Sequence, residues 1–251
     1  MQNINTLYFL EPLITIAFNV GLVVYWRFKR RFTIWTLLCS LIAYGGAIGC
    51  KVVFQAVTFN SLMRGFHGDP SILGAYFGLQ TVIFEIGGAY LVAVLAISRG
   101  KLNVKDSAAY GIGLAFWENA GYLGSLGIFN LLSIYLTLSL GTISSLELYT
   151  NLITNRPALF YPSSQALPLI AFSILERVTS LIFHFCWGYL CLLSASTHKY
   201  RYFIAALPMG LLDFFIPYVT YLGVPLFESF IYVLALATLA LTMFITRRER
   251  R

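Results

Sequence analysis

The sequence predicts an all-α membrane protein, a polytopic bundle of about seven transmembrane helices with one additional interfacial or re-entrant helix. Hydrophobic residues make up 59% of the 251 residues, and charged residues only 11%. Several apolar segments exceed the roughly 18–20 residues that a helix needs to cross the hydrocarbon core. No alternation of polar and apolar residues between turns is present, which argues against a membrane barrel.

Basic residues recur at one end of successive apolar runs. The formal net charge is +7, and most of the basic residues lie in four clusters. By the positive-inside rule these clusters face the cytoplasm, so we expect the N-terminus outside and the C-terminus inside. The basic charge therefore reflects membrane topology and does not indicate nucleic acid binding. The clusters lie at residues 27–31, 99–105, 199–201 and 247–251.

The first four spans are predicted from apolar runs that end at these clusters or at polar loops. Residues 7–26 form the first span, which we interpret as a retained helix because no basic n-region precedes it. Residues 33–57 form the second span, with Lys51 near its outer end, where the ammonium group can reach the lipid headgroups. Residues 71–98 form the third span and residues 106–127 the fourth.

The segment 127–165 decides the topology of the second half. The fourth span ends outside and the loop at 197–201 is inside, so an odd number of crossings lies between them. The apolar part of this segment is short and the rest is polar, so we expect an outer interfacial or re-entrant helix and a long loop. We expect residues 1–251 to form a single integral membrane domain. The last three spans are residues 166–195, 203–221 and 225–245.

Four ionisable side chains on different spans fall at one predicted depth. A rise of about 1.5 Å per residue, counted from the cytoplasmic ends, places all four roughly 15–20 Å into the membrane. An ionisable residue at that depth is costly and usually faces a polar interior, so it marks a candidate functional site. These candidate catalytic residues are Glu85, Glu118, His184 and Asp213.

Three further polar residues are assigned to the site as supporting groups. Asn119 directly follows Glu118. Arg177 lies seven residues before His184 on the same helical face, which makes it a countercharge for an inner carboxylate. Glu176 is its neighbour in the chain. A purely structural interpretation is also open: Glu176 and Arg177 would form a buried ion pair. Glu118 and His184 would then form an interhelical hydrogen bond, typically worth about 0.6 kcal/mol in membranes.

A glutamate and a histidine in a desolvated site can hydrolyse a peptide bond. A carboxylate removed from water holds a proton more readily, which suits a general base that later returns the proton to the leaving amine. A nearby imidazole can donate a hydrogen bond to the developing oxyanion. The same residue types could instead hold a divalent metal such as zinc, with Glu118, His184 and Asp213 as ligands. No His-Glu-x-x-His motif is present, and a single membrane histidine favours the carboxylate mechanism.

Four segments, in this order, resemble the YhfC family of intramembrane proteases, within the superfamily of PrsW, CAAX prenyl proteases and the gamma-secretase scaffold subunit. The family's E-E-G-x-R-Y segment is similar to EIGGAY at 85–90, and its Y-G-x-G-H-G-x-x-E segment to YGIGLAFWE at 110–118. Its E-R then H segment is similar to 176–184, and its H-x-x-x-D segment to MGLLD at 209–213. The PrsW signature F-A-x-x-E-N is similar to FWEN at 116–119. The resemblance implies a multi-helix protease fold with the four candidate residues around a catalytic water.

The chain departs from the family pattern at four polar positions. Ile86 stands where the family has a second acid, and Ala89 where it has arginine. Leu114 and Met209 each stand where it has a histidine. These losses remove most imidazole ligands and weaken a metal-dependent mechanism.

The leading hypothesis is an intramembrane endopeptidase of the cell membrane that acts on a transmembrane or lipid-linked peptide. In it Glu118 is the general base, His184 donates to the oxyanion, and Glu85 or Asp213 positions water. One alternative is a catalytically silent scaffold of a membrane complex. Another is a proton-coupled transporter in which Glu118 and Glu85 carry protons. Membrane lipid is the expected surrounding partner in all three cases.

Overall fold

The computed structural model describes residues 2–29, 32–66 and 68–247. These residues form helices, turns and loops and contain no strand. Seven helices among them are long and apolar enough to cross a membrane. The predicted all-α bundle and its seven spans are therefore confirmed, while the orientation of the termini stays a prediction. The ends of two basic clusters, at 30–31 and 248–251, lie outside the described residues.

The helices are numbered α1 to α8 in chain order. The spanning helices are α1 (Thr6–Phe28), α2 (Ile34–Phe66), α3 (Pro70–Ser98), α4 (Val104–Leu140), α6 (Ser163–Thr197), α7 (Tyr200–Leu222) and α8 (Val224–Thr246). The remaining helix, α5 (Ile143–Asn155), lies between α4 and α6 in the sequence. A short 3-10 turn, Pro157–Phe160, follows α5.

Helix α4 is longer than the sequence analysis predicts. It continues through the apolar run 131–140 and ends only at Gly141, whose φ of 66° stops the helix. Its 37 residues correspond to about 55 Å, more than the hydrocarbon core requires. The prediction that this span ends near residue 127 is wrong, because the glycines there do not interrupt the helix and no proline separates the two apolar parts. In the segment where an interfacial or re-entrant helix is expected, α5 is the separate short helix.

The N-terminal residues pack against the segment that follows α4. The amide of Asn5 donates to the Leu159 carbonyl at 2.8 Å, and the Tyr8 hydroxyl donates to the Ala158 carbonyl at 2.7 Å. Ile4 also forms a small buried apolar cluster with residues of α4 and α5. These contacts place the N-terminus, the end of α4 and α5 at the same end of the bundle.

The apolar core lies where α2, α3, α4 and α6 to α8 meet. Tyr110 and Leu190 are completely buried there. The Tyr110 hydroxyl donates to the Ala89 carbonyl at 2.8 Å, which ties α4 to α3. Nearby, the indole of Trp117 donates to the Leu37 carbonyl of α2 at 3.0 Å. These contacts hold α4 in register with its neighbours close to Glu118.

Two close helix approaches depend on glycine. A Cβ atom at Gly111 of α4 would lie 2.4 Å from the carbonyl oxygen of Phe185 on α6. A Cβ atom at Gly74 of α3 would likewise lie 2.3 Å from the carbonyl oxygen of Phe214 on α7. Small residues at such positions let membrane helices come into backbone contact. The first approach brings α4 against the residue next to His184, and the second brings α3 against the residue next to Asp213.

All three candidate acids lie where the helices depart from regular α geometry. Glu85 is in a π-helical segment of α3, Thr81–Ile86, and Glu118 is in a second one in α4, Trp117–Gly124. Asp213 is in the 3-10 segment Leu207–Tyr218 of α7. π-helical segments are rare and are frequently found at functional sites.

Candidate functional site

A cavity of about 460 Å³ lies among the membrane-spanning helices. The four candidate catalytic residues, although they come from α3, α4, α6 and α7, all line it. The four residues that are predicted to lie at one depth therefore line one and the same cavity. Other polar residues that line the cavity are Lys51, Thr81, Glu176, Arg177, Ser180 and Glu228.

His184 lies between two carboxylates. Its Nδ1 atom is 2.7 Å from Oε2 of Glu118, and its Nε2 atom is 3.2 Å from Oε2 of Glu85. The ring is 4% exposed and packs against the indole of Trp187, with the ring centroids 4.1 Å apart. An imidazole can donate to two acceptors only when both nitrogens carry a proton. The site therefore provides an environment in which an imidazolium is stabilised from both sides.

Glu118 is held by two groups of α6. In addition to His184, the Ser180 hydroxyl donates to Oε2 of Glu118 at 2.9 Å. Ser180 and His184 are four residues apart and so present their side chains on one face of the helix. The glycine contact between Gly111 and α6, two turns below Glu118, sets the short distance between the two helices. Glu118 thereby faces the cavity in a fixed orientation.

Lys51 lies inside the cavity, and the prediction that it reaches the lipid headgroups is wrong. Its side chain is 13% exposed, and its ammonium group donates to Glu85. It also lies 2.6 Å from the Thr81 hydroxyl and 3.5 Å from Oδ2 of Asp213. The physical reason is the length of α2, which continues to Phe66 and so places Lys51 in mid-helix.

Asp213 completes a continuous polar network. The Thr81 hydroxyl donates to its Oδ2 atom, and Lys51 approaches the same oxygen. Since Lys51 also binds Glu85, and Glu85 contacts His184, the network links α7, α2, α3 and α6. Glu118 of α4 extends it through His184. Three carboxylates, one ammonium and one imidazole thus form one connected group.

The supporting residues lie at the outer side of this network. Arg177 donates to its sequence neighbour Glu176, as the structural alternative expects, but the Glu176 side chain is 47% exposed and the pair is not buried. Among the described residues, Arg177 forms no hydrogen bond or ion pair with an inner carboxylate. Asn119 is completely buried and donates to the Arg177 carbonyl at 3.3 Å, so it ties α4 to α6. Arg177 and Glu176 line the cavity, whereas Asn119 contacts the α6 backbone beside it.

Sequence reasoning missed Lys51, Thr81, Ser180 and Glu228. Glu228 lies near the start of α8, is 6% exposed and lines the cavity. Its Oε2 atom has no hydrogen-bond partner among the described residues. Glu228 and Lys51 both lie near the end of a predicted span, where a charged side chain is expected to reach the membrane surface, so the sequence assigns neither to the site. Ser180 and Thr81 could have been predicted from the sequence, because each lies four residues from a candidate catalytic residue and so on the same face of its helix.

The four positions at which the resemblance implies polar residues lie in the apolar core. Ile86, Ala89, Leu114 and Met209 are each at most 5% exposed and belong to one hydrophobic cluster. Space that polar side chains would require is therefore filled by tightly packed apolar atoms. Within the described part of the chain, the only imidazole that lines the cavity is His184.

The donors of the site do not fit a divalent metal as they are arranged. Within residues 2–29, 32–66 and 68–247, no group of three or more His, Cys, Asp and Glu residues could hold a metal ion. Both nitrogens of His184 already face carboxylates, and Lys51 pairs with Glu85 and Asp213. An ammonium group among the carboxylates would repel a metal cation bound to the same oxygens.

Comparison with known proteins adds one finding. A family model described as YhfC intramembrane metalloprotease matches residues 13–234, which include all seven spans in whole or in part. No curated protein and no solved structure matches the chain.

Proposed function

The chain belongs to the YhfC intramembrane metalloprotease family, and from this premise we propose that it hydrolyses peptide bonds at Glu118 and His184. One observation carries the proposal: the Glu118 carboxylate lies 2.7 Å from Nδ1 of His184, beside a cavity formed by membrane-spanning helices. A general base and a hydrogen-bond donor are the groups that amide hydrolysis requires. The proposed substrate is a transmembrane or lipid-linked peptide.

In the proposed mechanism Glu118 activates a water molecule. The carboxylate takes a proton from the water while the water oxygen attacks the carbonyl carbon of the peptide bond. The carbonyl oxygen becomes an oxyanion, to which His184 donates a hydrogen bond. Glu118 then gives its proton to the amide nitrogen, the C–N bond breaks, and the amine leaves. Glu85 or Asp213 positions the water.

We assign no step to a metal, although the family description names one. The carboxylates and the imidazole of this chain pair with each other and with Lys51. A glutamate-type mechanism uses these groups once His184 exchanges one of its carboxylate contacts for the oxyanion. We therefore propose it in preference to a metal-dependent one.

Proteolysis can be tested directly with the purified chain. We expect proteoliposomes that contain it to cleave at least one of a set of synthetic single-span helices with a fluorophore and a quencher. In H₂¹⁸O the new carboxyl terminus should gain one ¹⁸O atom, since water supplies the attacking oxygen. Product mass spectra measure both the cleavage site and the isotope.

Two other outcomes would contradict the proposal. Complete absence of cleavage, with correct folding, would favour the scaffold hypothesis. Uptake of a solute driven by a pH gradient, without any cleaved product, would favour the proton-coupled transporter. Liposomes without protein provide the control for spontaneous breakdown of the reporter.

Ser180→Ala should slow cleavage by about tenfold. The substitution removes the hydroxyl that donates to Glu118 at 2.9 Å, and a hydrogen bond to a charged group is worth about 1.5–3 kcal/mol. Because the hydroxyl orients the base and does not bind substrate, kcat should fall while KM stays within about twofold. Reporter kinetics in detergent would measure both constants.

Ser173→Ala is the matched control for this prediction. Ser173 lies on the same helix, but it is exposed and outside the cavity. Its variant should cleave at the wild-type rate. Equal losses in the two variants would show that the effect does not depend on the contact with Glu118.

A further inference from the structure

We propose that Lys51 supplies, from within the chain, the positive charge around which the carboxylates of the site are arranged, and that it excludes a divalent metal from them. This inference deepens the proposed function and rests on it for its catalytic meaning. Metal binding itself can be measured whether or not the chain cleaves a peptide. Lys51 is a positioning residue in this proposal.

The ammonium group of Lys51 has a complete set of acceptors. Its three donor directions meet Glu85, the Thr81 hydroxyl at 2.6 Å, and Oδ2 of Asp213 at 3.5 Å. An ammonium has three donors and no acceptor, so these contacts satisfy it. Nothing in this arrangement requires a second cation for Glu85 or Asp213.

The location of Lys51 matches that of a central cation. It comes from α2 and contacts two acids from α3 and α7, so it connects α2 to both of these helices. Glu85 in turn contacts His184, whose other nitrogen faces Glu118. The charge of Lys51 thus reaches the proposed base through two intermediate groups. Loss of the ammonium would leave Asp213 without its basic partner and Glu85 with His184 alone.

The apolar substitutions support the same conclusion independently. Zinc in proteins is bound mainly by imidazole and thiolate groups. Leu114 and Met209, where the resemblance to the family implies histidines, are buried in the apolar core. Among the described residues, His184 is the single imidazole of the cavity, and no cysteine lines it. The chain combines few metal-binding groups with an internal cation.

Zinc content of the purified chain and of Lys51→Met tests the proposal. After equilibration with zinc and removal of the excess, the wild type should retain no stoichiometric zinc. Without the ammonium, the carboxylates of Glu85 and Asp213 can move onto a metal together with His184, so Lys51→Met, which is similar in size but uncharged, should gain about one zinc ion per chain. Zinc should also raise the unfolding midpoint of this variant and not that of the wild type. Elemental analysis and thermal unfolding provide the two measurements.

Three further variants keep the test decisive. Lys51→Arg retains a positive charge and should remain free of zinc, whereas Lys105→Met removes an exposed lysine outside the cavity and should behave as the wild type. If Lys51→Met fails to fold, Lys51→Gln, which keeps hydrogen-bond donors, replaces it with the same expected gain.

Either of two results would overturn the proposal. The first is a wild-type chain that holds one zinc ion, lost in Asp213→Asn. The second is a folded, uncharged Lys51 variant that gains no zinc. Cleavage by a zinc-containing wild type would refute the inference about Lys51 and leave the proteolytic function in place. A wild type that binds no zinc and cleaves no reporter would refute the proteolytic function and leave the inference about Lys51 in place.

Discussion

Glu118→Gln is expected to reduce peptide cleavage by about 10²- to 10⁴-fold, the contribution typical of general acid–base catalysis. Glutamine has nearly the same size and can still accept the hydrogen bond from Ser180. It cannot take a proton from water, so only the chemical step should be lost. Cleavage of a fluorescent single-span reporter, measured under single-turnover conditions, would give the rate constant.

The matched variant Glu147→Gln separates the loss of a base from a change in net charge. Glu147 lies on α5, is exposed, and does not line the cavity that contains Glu118. Its substitution should leave the cleavage rate unchanged. Substantial cleavage by Glu118→Gln, with normal folding in the same detergent, would remove Glu118 from the catalytic role.

Gly111→Ala is expected to destabilise the fold by about 3 kcal/mol, the upper part of the range for overpacking of a well-packed core. The added Cβ atom would lie 2.4 Å from the Phe185 carbonyl oxygen, and a backbone carbonyl cannot move aside as a side chain can. Helices α4 and α6 would have to separate near Glu118 and His184. Denaturant unfolding in micelles should show the loss of stability, and cleavage should fall as well.

Gly45→Ala provides the same chemical change without the steric conflict. A Cβ atom at Gly45 of α2 meets nothing within 4 Å. Alanine in a helix interior is favoured over glycine by roughly 0.5–1 kcal/mol, so this variant should be as stable as the wild type or slightly more stable. A Gly111→Ala variant as stable as Gly45→Ala would be inconsistent with the close approach of α4 and α6.

The span count and the common location of four polar residues could be predicted from the sequence. Both depend on long apolar runs and on counting residues from basic ends, which are strong signals. Glu85, Glu118, His184 and Asp213 line one cavity, as their similar predicted depths suggest. Each lies well inside its helix, so a small error in the predicted helix end changes its predicted depth only slightly.

The same counting failed where a helix end was misplaced. The sequence places Lys51 at the outer headgroups because its pattern predicts that α2 ends at residue 57, but the helix continues to Phe66. Polar residues after position 57 resemble a loop in composition, although they extend the helix. Tertiary contacts with Glu85 and Asp213, which hold Lys51 inside the cavity, leave no local signal in the sequence.

Arg177 illustrates a second limit of prediction from one helix. Its spacing from His184 correctly places both on one face of α6, and both line the cavity. The choice of partner depends on side-chain directions that spacing does not determine. Arg177 pairs with Glu176 beside it, and the countercharge to the inner acids comes from α2.

The π-helical segment of α4 gives that helix one residue more than the same path in a regular α-helix would need. Deleting one residue after Glu118 would let a regular α-helix form with the residues beyond it facing nearly the same way, whereas a deletion in a regular part of the helix would turn them by about 100° around the helix axis. Gly124 and Gly127, which face Ile16 and Pro12 of α1, would keep those contacts only in the first case. A single-codon deletion within this segment would thus spare the packing of α4 against α1 and remove the wide turn that carries Glu118.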